Sequence, residues 1–118
     1  MNTLIDTSIW IQHLQTPNKK LSQLLAENQV LVHPFIIGEI FIGHVRNRDE
    51  VMTLLGYLPQ IKTATEMEVQ TLVRKNRLFG RGLSWIDCHL IASTLIQGAD
   101  LYSTDKALTK AYQDLTKR

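Results

Sequence analysis

Short apolar runs alternate with helix-patterned stretches along the whole chain, and that alternation leaves few folds open. The runs are Asn2–Asp6, Gln29–His33, Ile61–Thr63 and Ala99–Ser103. Helical patterns cover Thr7–Leu14, Lys19–Asn28, a segment opened by Pro34, Asp49–Leu58, Thr65 to about Leu78, Ser84–Gln97, and Asp105 to about Leu115. Strands joined through helices cannot form hairpins, so the sheet is expected to be parallel, with helices on both faces. Local signals agree. Pro34 suits a first helical turn, Thr65-Glu66-Met67-Glu68 matches a capping box, and Gly98 suits a helix stop. The expected architecture is α/β: a three-layer αβα domain whose central, mostly parallel sheet of four or five strands is flanked by helices. No repeat, low-complexity tract or linker divides residues 1–118, which reads as one domain.

In parallel sheets of this kind, chemistry collects at the carboxyl ends of the strands. Asp6 ends the first run, and Asp105 lies just past the last one. The helix Ser84–Gln97 enters the last strand through a short turn and so runs antiparallel to it. Asp87, near that helix's amino end, then falls at the same edge. Glu39 stands in the apolar run Pro34–Ile42, with Phe35, Ile36 and Ile42 on its own helix face. A carboxylate among such neighbours is costly unless it is protonated, hydrogen-bonded or facing a cation. It sits roughly 8 Å along its helix from the sheet edge, within reach of a long side chain. Asp100 begins its strand instead of ending it, which places it at the opposite edge and outside the site. Four carboxylates meeting at one point repel each other, and a hard divalent cation relieves that repulsion. Each acid also has a local reading: Asp6 and Asp105 as helix caps, Asp87 as the brace of a Ser84 capping box, Glu39 as a satisfied buried acid.

The chain carries +2 overall, from 13 basic and 11 acidic side chains. With the four acids set aside, 7 acidic groups remain against the 13 basic ones, so the rest of the surface carries +6. A basic surface around an acidic spot suits a phosphate-rich polymer approaching bound metal. Arg74, Lys75, Arg77 and Arg81, just before the Asp87 helix, are candidates for gripping an RNA backbone; a solvated helix face is the plain alternative. Cys88 is the single cysteine, so no internal disulfide forms, and no apolar stretch is long enough to cross a bilayer. A cytoplasmic protein without a membrane partner is expected. His13, His33, His44 and His89 show no metal-binding spacing, no phosphate-binding glycine loop is present, and Ser8 and Ser84 have no evident base partner. Trp10 and Trp85 read as core anchors or interface residues.

In their order along the chain, Leu4-Ile5-Asp6-Thr7-Ser8, the Glu39 helix, Gly82-Leu83-Ser84-Trp85-Ile86-Asp87-Cys88-His89-Leu90-Ile91-Ala92 and Leu101-Tyr102-Ser103-Thr104-Asp105-Lys106 resemble the PIN-domain ribonucleases, in particular the VapC-like toxins of bacterial type II toxin–antitoxin pairs. The resemblance covers essentially the whole chain. It implies an endoribonuclease that hydrolyses RNA phosphodiester bonds with metal-activated water. It also implies that Asp6, Glu39, Asp87 and Asp105 hold Mg2+ or Mn2+, with Ser8 and Ser103 supporting them through hydroxyls. The partners it implies are an RNA substrate, a cognate small antitoxin protein and a second copy in a homodimer. Three other readings stay open: a PIN-like nuclease for structured DNA or RNA processing, a receiver-like signalling domain, and a non-catalytic binding module. The receiver reading lacks an aspartate after the third strand, where Ile61-Lys62-Thr63-Ala64 offers none.

Overall fold

Leu4 and Ile5 have no exposed surface because the strand that carries them lies between two parallel neighbours. The computed structural model describes residues 2–117. Strand β1 (Thr3–Ile5) pairs on one side with β2 (Val30–Leu31) and on the other with β3 (Asp100–Tyr102), in the order β2-β1-β3. Both pairings are parallel; Thr3 faces Val30 and Asp100, and Ile5 faces Tyr102. A strand covered on both faces reads as an unbroken apolar run, which explains Leu4-Ile5 and Val30-Leu31-Val32.

Seven helices flank this sheet among the described residues: α1 (Thr7–Gln15), α2 (Lys19–Ala26), α3 (Pro34–Ile42), α4 (Arg48–Leu55), α5 (Glu66–Asn76), α6 (Trp85–Gln97) and α7 (Lys106–Thr116). Helix α3 packs on α1 and α4, while α6 packs on α5, α7 and β3. Residues Cys88–Thr94 of α6 are buried in one continuous stretch, so the middle of this helix is enclosed on all sides. Its start is fixed by a complete capping box between Ser84 and Asp87, and its end by Gly98, in the left-handed region at φ 74°. Helix α5 opens on the expected box between Thr65 and Glu68. No helix among the described residues is long and apolar enough to cross a membrane.

The expected four or five strands are corrected to three. The segment Ile61–Thr63 forms no strand; the isolated parallel bridge beside it joins Val32 to Gln60. Ile61 N still donates to Val32 O, but the next amides turn away from the sheet. Lys62 N donates to Gln97 Oε1, and Ala64 N to Ser93 Oγ. Side chains of α6 thus capture the backbone that a fourth strand would have needed. Helix α4 likewise ends at Leu55, three residues before the expected Leu58, in a turn that leads to Pro59.

Ser93 has no exposed surface, so its hydroxyl is the buried partner of the Ala64 amide. Ser93→Ala should lower the stability measured by urea unfolding by about 1–3 kcal/mol, the cost of orphaning a buried amide. An unchanged midpoint would show that the amide is satisfied elsewhere.

Candidate active site

The parallel register brings the first two site segments together. Ile5 lies opposite Tyr102, so Asp6 and Ser103 leave the sheet side by side, and Asp6 N donates to Tyr102 O at 3.0 Å. The Ser103 hydroxyl donates to Asp6 Oδ2 at 2.6 Å and accepts from Asp105 N at 3.0 Å. One hydroxyl therefore ties the loop after β3 to the acid after β1. Asp6 Oδ1 accepts from Thr7 N and caps α1, while Asp105 Oδ1 accepts from Leu108 N and caps α7.

Glu39 joins through α1. The Thr7 hydroxyl, one residue past Asp6, donates to Glu39 Oε1 at 2.7 Å. Glu39 is half-buried and lies in the second turn of α3, whose amino end is capped by an imidazole: His33 Nδ1 accepts from Phe35 N at 3.0 Å. His33 is 1% exposed, and burial, with the neighbouring His89, lowers its pKa to about 4.

Asp87 completes the group from α6. Its Oδ2 accepts from Ser84 N and its own amide donates to Ser84 Oγ, both at 3.0 Å. Burial pushes its carboxyl pKa up, and the charges of Asp105 and Asp6 push in the same direction, against the opposing Ser84 hydrogen bonds. Asp87, Asp6 and Asp105 therefore share one electrostatic neighbourhood. Asp100 pairs with Thr3 at the start of β1, on the opposite edge.

The other named residues divide. Ser103 touches a carboxylate. Ser8 does not: its Oγ accepts from Thr104 Oγ1 at 3.0 Å. Thr7 makes the contact instead, and a hydroxyl at the first position of a helix carries no sequence signal that separates it from an ordinary helix start. Arg74 and Lys75 lie in the last turn of α5, and Arg77 is its left-handed cap. Arg81 is committed to Asp114 at 2.8 Å, in the last turns of α7. Asp114 is roughly 13 Å along that helix from Asp105. The Cys88 thiol is buried, with its pKa pushed up by burial and by Asp87, so it is a poor nucleophile.

Among the described residues, no ammonium or guanidinium lies within ion-pairing distance of Asp6, Glu39, Asp87 or Asp105; the ion pairs join Arg81 and Lys110 to Asp114. Nor do any three His, Cys, Asp or Glu side chains there converge tightly enough to share an ion with their present hydrogen bonds. Each acid is turned towards a local donor: Thr7 N, Thr7 Oγ1, Ser84 N or Leu108 N. The donor set is all carboxylate oxygen, half-buried at three positions and without a paired cation among the described residues, which is the chemistry a hard divalent ion requires.

Two measurements test this description. Because the fold disfavours the Asp87 carboxylate, Asp87→Asn, which keeps an acceptor for Ser84 N, should raise the melting temperature in chelator. That gain should shrink as pH falls and the native carboxyl takes up its proton. For His33 the sign is opposite. The unfolded imidazole gains a proton near 6.5 and the folded one only near 4, so stability is lost as pH falls through that window, by on the order of 3 kcal/mol at most. Denaturation of His33→Asn, which keeps a cap acceptor but cannot titrate, should depend less on pH between those values.

Comparison with known proteins places this geometry. The PIN-domain family model matches residues 3–113. Ribonuclease VapC32 of Mycobacterium tuberculosis, from strains CDC 1551 / Oshkosh and ATCC 25618 / H37Rv, is 41% identical over 109 residues, spanning 92% of this chain and 88% of that protein. Family match, parallel sheet and acids at its carboxyl edge agree, and the chain belongs to the PIN-domain family, alongside the VapC ribonucleases.

Proposed function

We propose that this chain is a metal-dependent endoribonuclease acting as the toxin of a toxin–antitoxin pair. The observation that carries the reading is the group of acids at the sheet edge: Asp87, its carboxyl pKa raised by burial and further by the charges of Asp105 and Asp6, Glu39 linked to Asp6 through Thr7, and no cation within ion-pairing distance among the described residues. Asp6, Glu39, Asp87 and Asp105 would hold Mg2+ or Mn2+. When bound, such an ion supplies a Lewis acid beside the scissile phosphate and offsets the charge that develops there.

The chain's own groups position the acids and the substrate. The Ser103 hydroxyl holds Asp6 from one side and the Thr7 amide from the other, which fixes the plane of that carboxylate. The Thr7 hydroxyl draws Glu39 back towards the sheet edge. Arg74, Lys75 and Arg77, at the end of α5 that leads towards α6, are placed to contact RNA phosphates; Arg81 would first have to leave Asp114. Half-exposed Phe41 and largely exposed Ile42, Leu54 and Tyr57, from α3 to the turn after α4, offer apolar surface for a small antitoxin or a second copy to cover. A homodimer in the cytoplasm is the working form consistent with this reading.

With purified protein, EDTA should abolish cleavage of single-stranded RNA, and Mg2+ or Mn2+ should restore it. Asp6→Asn should fold normally and lose at least about 100-fold in activity, the scale of removing a main electrostatic element of a site. Cleavage that persists in chelator rejects the metal role. Preference for flap DNA or structured RNA over single strands rejects the toxin assignment while leaving a nuclease.

A further inference from the structure

Phe35 and Trp85 are large aromatic side chains left 40% and 44% exposed, and each stands on a helix that supplies one of the acids. Phe35 lies one helical turn before Glu39 on α3, and Trp85 opens α6 two residues before Asp87. A single side chain joins them. The His89 ring meets Phe35 at 4.9 Å between centroids and Trp85 at 5.1 Å, at interplanar angles of 68° and 83°. The two outer rings are therefore no more than 10 Å apart and come from the two helices that supply Glu39 and Asp87. His33 backs Phe35 at 5.0 Å.

This cluster is built at a cost. His33 and His89 are 1% and 4% exposed, and the Nε2 atom of each is buried without a hydrogen-bond partner among the described residues. An orphaned buried polar atom is destabilising, and at His89, which caps no helix, an aliphatic side chain would fill the space without it. What the His89 imidazole provides is rigid support: its edge-to-face contacts hold both outer rings in fixed planes while leaving part of each open. Fixed, half-open aromatic rings on an edge lined with acids have little use for a metal ion. They suit the bases that flank a phosphodiester, because every base has a face that stacks, whatever its sequence.

From this arrangement we infer that Phe35 and Trp85 form a base-stacking subsite that seats a nucleotide next to the bond being cut. The inference rests on the ribonuclease reading and adds a substrate requirement to it: an unpaired base beside the scissile phosphate. A base stacked on these rings fixes the strand across the carboxylates, while the basic side chains at the end of α5 act on the backbone.

The test measures binding in chelator, where no cleavage occurs, using a fluorescently labelled single-stranded hexaribonucleotide and the whole protein. Trp85→Leu and Phe35→Leu should each weaken binding about 5- to 100-fold, the range for losing one stacked base. Trp85→Phe should stay within about threefold of the parent, since the ring is kept. A series of hexamers with one abasic position each should contain one that binds the parent as weakly as the intact RNA binds Trp85→Leu. That hexamer should lose little more with the variant, so the two losses are not additive. With Mg2+ present, the leucine variants should raise KM for cleavage more than they lower kcat.

Leucine variants that fold, shown by an unchanged melting temperature, and bind every hexamer like the parent would overturn the subsite. So would additive losses from the abasic position and from Trp85→Leu. RNA affinity that stays intact while binding of an antitoxin or of a second copy is lost would reassign the rings to protein recognition and also overturn it. A parent protein that neither binds nor cuts RNA strikes the ribonuclease reading itself, whereas a parent that cuts with variants of unchanged KM strikes only the subsite.

Discussion

Three helix starts that carry an aspartate meet at one edge of the sheet, and nearly everything at this site depends on that convergence. Helix α1 starts from β1, α7 starts after β3, and α6 runs antiparallel to β3, so their amino ends share the carboxyl edge. Each end presents unpaired backbone N–H groups and the positive end of a helix dipole. Asp6, Asp105 and Asp87 occupy those ends as caps or as the third residue of a capping box. The cap reading and the site reading of these acids are not alternatives. The backbone donors that make an aspartate a good cap also let several negative charges be held close together before any cation arrives. The cost is visible at Asp87, whose pKa is raised by burial and, to a lesser degree, by the charges of Asp105 and Asp6, despite its two hydrogen bonds with Ser84.

Glu39 obeys a different rule. It is past the capping positions of α3, so no helix end compensates it, and its partner is a hydroxyl from another element. That partner is supplied by the residue next to Asp6, which links the two acids through the start of α1. Such coupling suits a site whose side chains must exchange local hydrogen bonds for a shared ligand, since the backbone that carries them is already fixed.

Legibility in the sequence followed the range of the interactions. The placement of Asp6 and Asp105 was readable because strand ends and cap residues are local signals, and Asp87 because its helix had to run back along β3. Asp100 was separable from them by strand length alone. The supporting hydroxyls were harder. Thr7 and Ser8 are adjacent, chemically similar and equally suited to a helix start, and only the packing of α1 on α3 decides which one reaches Glu39. The fourth strand failed for the same reason. Its apolar content was real, and Ile61 is buried, but two polar side chains of α6, Ser93 and Gln97, compete for its amides. Nothing within residues 61–64 announces a competitor about thirty residues away.

The cap of α3 shows how the same electrostatics limits what the edge can accept. An aspartate, asparagine or serine would be the ordinary cap there. An aspartate would add another negative charge at the edge where burial and the charges of Asp105 and Asp6 already disfavour the Asp87 carboxylate. His33 supplies an acceptor with no charge, and burial keeps it neutral, with a pKa of about 4. A serine would also be neutral, but it has no ring to place behind Phe35. The imidazole meets both requirements at once, an uncharged acceptor for the Phe35 amide and an aromatic ring packed at a tilt of 51° against the Phe35 ring, and an Nε2 without a hydrogen-bond partner among the described residues is the cost of combining them.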